Sequence, residues 1–243
     1  MTGTATTIAA GRFRGRGIRV IAASVLALAL SACAAAPRAK PAPAPAAPGP
    51  GAAAYLRMGM VHFAGNRYDD AIADFNRAID LDGRNAAAYN SRGRAYYEKG
   101  DVGKAIADAN KALELDPRFD TGYNTRGYFL LSRGRYDDAI ADFDRALAIN
   151  PRHEAALNHR GLAFAAKGLY DRALGDFDRA KDIDPDYHEV YANRADTLEK
   201  AGRPGEALAA WEDYIRRAPP GPREARRIEK AKERIRALRP TSP

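Results

Sequence analysis

The sequence repeats itself every 34 residues. Gly59, Gly93, Gly127 and Gly161 stand one such step apart, and Ala195 continues the series. Ala71, Ala105, Ala139, Ala173 and Ala207 keep the same step, as do Phe75, Ala109, Phe143, Phe177 and Trp211. Ala78, Ala112, Ala146 and Ala180 follow it too, before Tyr214 breaks the run. Pro117, Pro151, Pro185 and Pro219 close four of the five units, and Gly83 closes the first. A unit this short cannot bury an apolar face by itself. It has to pack that face on its neighbours, so the chain must build a stacked array in which each unit touches only the next.

Each unit reads as two helices. The first, as in 120–133, places an aromatic residue or leucine (Tyr55, Tyr89, Tyr123, Leu157, Tyr191) one helical turn before the small residue. The second, as in 137–148, carries Ala139, Ile140, Phe143, Ala146 and Leu147 as a helical stripe. The turn between them holds Gly100, Gly134, Gly168 or Gly202, a residue that can close a helix at positive φ. Aspartates such as Asp69-Asp70 and Asp137-Asp138 then favour the positive end of the next helix. Small residues at the recurring Gly and Ala positions let paired helices approach closely, with Phe or Trp filling the space beside them. No stretch alternates as a strand would.

These positions resemble the signature of the tetratricopeptide repeat, whose Trp/Tyr, Leu, Gly, Tyr, Ala, Phe, Ala and Pro fall on them across residues 52–219. The resemblance implies an all-α fold, an α-solenoid of five helix pairs (about 52–85, 86–119, 120–153, 154–187 and 188–221) with a concave inner face. After Pro219 comes a basic helix, 222–239, with Ala225, Ile228, Ile235 and Leu238 on an otherwise charged surface. It is expected to cap the last pair; its other reading is contact with anionic lipid or sugar.

Two charged positions share the period. Arg92, Arg126, Arg160 and Arg194 precede the small residue, with Met58 in the first unit; Asp74, Asp108, Asp142 and Asp176 lie in the second helices, with Ala210 in the last. Pairing each Asp with the Arg of its own unit leaves Asp74 and Arg194 alone, whereas pairing it with the next unit's Arg leaves none. The expectation is therefore a set of inter-repeat pairs, Asp74–Arg92, Asp108–Arg126, Asp142–Arg160 and Asp176–Arg194, that set register rather than add large stability.

The N-terminal segment has its own logic. Four arginines between 12 and 19 precede an eleven-residue apolar run at 20–30, the order of a secretory signal too short to span a bilayer comfortably. Leu30-Ser31-Ala32-Cys33 resembles the bacterial lipobox, and Cys33 is the only cysteine in the chain. The resemblance implies residues 1–32 as a lipoprotein signal peptide and Cys33 as the residue that receives a diacylglycerol thioether. Two alternatives stand beside it: an ordinary signal cleaved after Ala34, or a buried helix of a cytosolic protein. Ala34, in place of the aspartate that retains lipoproteins at the inner membrane, implies an outer-membrane lipoprotein facing the periplasm, with a secreted periplasmic protein as the alternative. Residues 33–51 are then the lipidated Cys and its Ala/Pro-rich linker, in which 34–50 favour extended conformations and make a leash of up to roughly 50 Å.

Charge and chemistry narrow the function. The net charge of +8 resides at the two ends: residues 216–239 hold ten Lys/Arg against three Glu, while 52–215 is net acidic. A phosphate-tracking surface on the body is not expected, and neither is nucleic acid as a partner. His153 and His159 are six residues apart, not the H-E-x-x-H of a zinc helix, and there is no phosphate loop. No enzyme activity, metal or cofactor is expected. Function then falls to binding. The resemblance implies an inner ridge made of Asn90, Arg94 and Tyr97, then Asn124, Tyr128 and Leu131, then Asn158, His159 and Leu162, then Asn193 and Asp196, with Leu56, Met60 and Phe63 in the first unit. Exposed asparagines at 90, 124 and 158 would hold a partner's backbone; the plainer reading is a solvated helix face copied by duplication. The carboxylate clamp of some family members is not matched, since Leu56 and Met60 occupy its first positions. The function expected is a membrane-anchored adaptor for proteins or peptides of the cell envelope, self-association staying open. The alternatives are a pilotin-like assembly factor for an envelope secretion or pilus complex, and a cell-wall or lipopolysaccharide binder acting through the basic helix.

Overall fold

The computed structural model describes residues 50–239, so Cys33, the apolar run before it and nearly all of the Ala/Pro tract lie outside the described residues. Eleven helices follow one another among the described residues: α1 (Ala52–Ala64), α2 (Tyr68–Leu81), α3 (Ala86–Glu98), α4 (Val102–Leu115), α5 (Asp120–Ser132), α6 (Tyr136–Ile149), α7 (Glu154–Ala166), α8 (Tyr170–Ile183), α9 (His188–Lys200), α10 (Pro204–Arg217) and α11 (Pro222–Leu238). No strand interrupts them there, and the fold is the all-α solenoid. Each odd helix packs on the even helix that follows, and each even helix on the next odd one. The odd helices also touch one another in succession, whereas the even ones make no comparable contacts. The stack therefore curves, with α1, α3, α5, α7 and α9 on its inner side.

The repeat explains this locally. Inside a pair, a side chain on Gly127 would meet Phe143 Cε1 at 2.6 Å, and one on Gly161 would meet Phe177 Cε1 at 2.6 Å. Only glycine allows those rings to lie flat against the first helix, and Phe143 and Phe177 are fully buried as a result. The two helices of a pair are joined by a turn whose Gly100, Gly134, Gly168 or Gly202 adopts φ between 71° and 86°; Asn66 takes the same left-handed place in the first pair at 58°. At the far end α11 packs on α10, burying Ala231 and Ile235 with Ile228 and Leu238 at the margin, and leaves Ala225 exposed.

The charged positions pair differently from the sequence expectation. Arg92, Arg126 and Arg160 each grip the aspartate of their own unit with two parallel bonds: Arg92 to Asp108 (2.8 and 2.7 Å), Arg126 to Asp142 (2.8 and 2.7 Å) and Arg160 to Asp176 (2.7 and 2.7 Å). The inter-repeat pairs Asp74–Arg92, Asp108–Arg126, Asp142–Arg160 and Asp176–Arg194 are thus corrected to pairs within a unit. The two residues this leaves over have other neighbours, with an aligned hydrogen bond only for Arg194. Asp74 lies 2.9 Å from His62 Nδ1, on the helix where Met58 replaces arginine, and Arg194 donates to Asp178 at 3.0 Å. The inter-repeat link comes from the third guanidinium nitrogen, which reaches back to the preceding second helix: Arg92 to Asn76 (2.7 Å), Arg126 to Asn110 (2.8 Å) and Arg160 to Asp144 (2.6 Å). One arginine ties two helices of its unit and a third of the unit before. The bonds to Asp142 raise the pKa of the Arg126 guanidinium above its ordinary value.

Candidate functional site

The inner helices present two adjoining cavities. The first, ≈ 380 Å³, lies between α3, α5 and α7 and is lined by Arg94, Tyr97, Glu98, Thr121, Asn124, Thr125, Tyr128, Phe129 and His159. The second, ≈ 400 Å³, runs from α7 across α9 to α11, with Asn158, Leu162, Tyr187, Asp196, Trp211 and Lys230 among its lining residues. Tyr128 and His159 belong to both and form the partition between them. Aromatic stacking sets this partition: Tyr97 lies parallel to Phe129 with centroids 4.8 Å apart, Tyr128 tilts against Tyr97 at 5.3 Å, and His159 sits 4.9 Å from Tyr128. Burial pushes the His159 imidazole down to about 4, so at neutral pH the partition is uncharged.

Of the expected ridge, Arg94, Tyr97, Asn124, Tyr128, Asn158, His159, Leu162 and Asn193 line the two cavities. Leu131 instead packs against the cluster of Leu130, Ala139, Phe143 and Ala163. Asn90 lines neither cavity. The asparagine row is also not the exposed face that was expected. Asn90, Asn124 and Asn158 are buried, and for the last two a side chain of the next unit, 35 residues on, folds over the amide. Asn193 Nδ2 donates to Asn158 Oδ1 at 2.8 Å, and His159 Nδ1 lies 2.9 Å from Asn124 Oδ1. Asn158 Nδ2 also donates to the Tyr187 hydroxyl at 3.1 Å. Burial pushes that phenol up to about 12. These amides tie repeat to repeat and are largely unavailable to a ligand's backbone.

Asn90 is the exception within the row, since its Oδ1 is buried with no hydrogen-bond partner. A stability difference follows. Asn158→Ala should cost about 1–3 kcal/mol, because it strands Asn193 and Tyr187, whereas Asn90→Ala should cost less than about 1 kcal/mol, because it removes an unsatisfied acceptor. Urea unfolding of the two variants decides this, and equal losses would argue against the ladder.

Several lining residues carried no signal in the repeat-based reading. Tyr187 caps the start of α9, in the register of His153, Phe119 and Asn85, and that recurring position could have pointed to it. In the repeat Trp211 holds a packing position and Tyr214 only interrupts the alanine series. Lys230 and Arg227 enter because α11 closes the end of the groove as well as covering α10.

A curved stack of helix pairs with a continuous, aromatic-lined inner groove defines an α-solenoid of the protein-binding class. The family model for the tetratricopeptide repeat matches residues 56–118 and 125–188, over half of the sequence, and the chain belongs to that family. Among solved structures it is similar to a tetratricopeptide repeat protein of Thermus thermophilus, with 26% identity and a TM-score of 0.67 over 75% of this chain and 99% of that one. PilW, a type IV pilus biogenesis factor, is 25% identical, with a TM-score of 0.67 over 77% of this chain and 88% of its own. PilF of Pseudomonas aeruginosa shares the fold at 17% identity, TM-score 0.64, over 77% and 88% of the two chains. Among curated proteins none matches the sequence. Tetratricopeptide repeat proteins bind protein or peptide partners and are in general scaffolds without catalysis.

Proposed function

We propose that the protein is a non-catalytic adaptor of the cell envelope, tethered to the membrane through a lipid on Cys33, that holds segments of envelope proteins in the groove of its odd helices. The observation that carries the reading is the pair of adjoining cavities divided by Tyr128 and His159. Two side-chain-sized recesses along one groove fit an extended or helical segment that inserts a residue into each, with burial supplying affinity and the recesses supplying selectivity. Backbone-holding by asparagines is no longer part of it. The outer membrane, facing the periplasm, remains the destination that the lipobox and Ala34 suggest.

A second reading is an assembly factor for an envelope complex of the pilus or secretion kind. It is favoured by the likeness to a type IV pilus biogenesis factor at 25% identity over most of both chains. Photo-crosslinkers placed at Tyr97 and Leu162 in the full chain, compared with Lys111 on the outer side, test both readings in cells. Groove positions should capture discrete proteins that Lys111 does not. Captured soluble enzymes support the adaptor and captured pilus or secretion subunits the assembly factor; identical products from all three positions would remove the groove. Intact mass of the same material should show a diacylglycerol on residue 33 that Cys33→Ser lacks, and an unmodified mature N-terminus at residue 35 would remove the tether.

A further inference from the structure

The two cavities differ in their charges, and the second holds an unmatched one. Along the inner ridge the residues in one register are Met60, Arg94, Tyr128, Leu162 and Asp196. Only the last is acidic, and it lines the cavity at the α9–α11 end. Asp196 is half-buried and has no hydrogen bond or ion pair among the described residues, in a protein where most other carboxylates near the groove have one. Burial raises its pKa, the sign of a carboxylate short of partners. The aromatic residues around it have their polar atoms engaged elsewhere: Trp211 Nε1 donates to Glu199 at 2.7 Å, the Tyr214 hydroxyl donates to Glu224 at 2.7 Å, and the Tyr187 hydroxyl accepts from Asn158. Trp211 and Tyr214 are 4% and 1% exposed and back the cavity, so the ring surface open to it comes mainly from the half-buried Tyr187.

The cations nearby do not neutralise Asp196. Arg227 is held by Glu224 at 3.2 Å, Arg234 is held by Glu199 at 3.0 Å, and His159 is neutral. Lys230, across the mouth, is exposed and, like the exposed Lys200 and Arg234, reaches Asp196 only through space. A hydrated lysine on a flexible stem contributes little as a permanent partner. A cation delivered into the cavity would meet both a fixed carboxylate and aromatic walls, each of which favours it more as water is excluded.

We infer that this cavity receives a lysine or arginine side chain of the segment bound in the groove, with Asp196 as its counter-charge, Tyr187, Trp211 and Tyr214 as its walls, and Lys230 as a resident competitor at its mouth. The inference rests on the groove being the protein-binding surface, and it adds a direction to binding: the basic residue of the segment lies at the α9 end, away from Arg94.

Trp211 is the only tryptophan in the chain, so its emission reports on this cavity alone. Titrations of the full chain with acetyl-arginine amide and acetyl-lysine amide should give saturable changes. Their affinity should exceed that of the neutral isostere acetyl-norleucine amide by about fivefold or more. Asp196→Asn should bring the cationic probes down to the neutral one, and Lys230→Gln should strengthen them, both variants keeping the unfolding midpoint of the parent. Equal binding of norleucine and arginine probes, tighter binding of acetyl-glutamate amide, indifference to Asp196→Asn, or no saturable change with any probe would each overturn the inference. Crosslinking from Tyr97 and Leu162 that persists unchanged in Asp196→Asn would overturn it while leaving the groove intact. Loss of crosslinking in the parent chain would instead remove the groove reading beneath it.

Discussion

Arg126→Met should destabilise the solenoid by about 3 kcal/mol, near the lower end for breaking a buried pair because the guanidinium keeps partial access to water. The loss comes from what is left behind. Asp142 is 5% exposed, and without Arg126 its carboxylate stays buried with neither of its two short bonds. Arg126→Met combined with Asp142→Leu should recover much of the loss, since an apolar pair of similar volume leaves no stranded charge. The coupling in a double-mutant cycle belongs to Arg126–Asp142; Arg126–Asn110 should show a smaller one, about 0.5–1.5 kcal/mol, and Arg126–Asp108 none. Arg194→Met sets the scale from the same register. It makes one bond, to an Asp178 side chain 43% exposed, and should cost no more than about 1 kcal/mol. A loss at Arg194 equal to that at Arg126 would show that the buried aspartates are not what the arginines serve.

The fate of these pairs shows where sequence reasoning reaches and where it stops. The period, the glycine against a phenylalanine and the left-handed glycine in the turn are local to one unit, and the pattern announces the first pairing in three units and the second in four. Which aspartate an arginine takes is a choice between two faces of its helix, and the repeat is the same for either. Counting unpaired ends favours the inter-repeat choice, but the ends have neighbours of their own, His62 beside Asp74 and Asp178 bonded to Arg194, that lie outside the period. The asparagines fail in a related way. Their inner-ridge register is legible, but their burial depends on residues 35 positions later, one beyond the repeat step, and these differ from unit to unit: His159 over Asn124, Asn193 over Asn158, and Thr125 after Asn90 with no such bond formed. The end wall of the groove was illegible for a simpler reason. α11 follows the last repeat, so no earlier copy tells which side it turns inward.

A last irregularity of the period joins the core to the groove. Ala109 stands where other units have Phe or Trp, and Phe129 stands where they have Val61, Ala95, Ala163 and Thr197. The two exceptions are one substitution in space. Phe129, 1% exposed, packs into a cluster with Ala105 and Ala109, so the ring missing from α4 is supplied by α5 of the next unit. Phe129→Ala should therefore cost about 3–5 kcal/mol through the cavity it opens. Ala109→Phe alone should cost about 1–3 kcal/mol, because its ring competes for filled space. Together they restore the arrangement of the neighbouring units, where Gly127 faces Phe143, and the double variant should lie within about 1.5 kcal/mol of the parent. The effect on binding should not recover with it. Tyr97 stacks on Phe129 and forms a wall of the first cavity, so both variants lacking Phe129 should lose selectivity there even when stability returns. Urea unfolding gives the first comparison and crosslinking from Tyr128 the second. A double variant as unstable as the sum of the two singles would show that Phe129 and Ala109 are not filling one space.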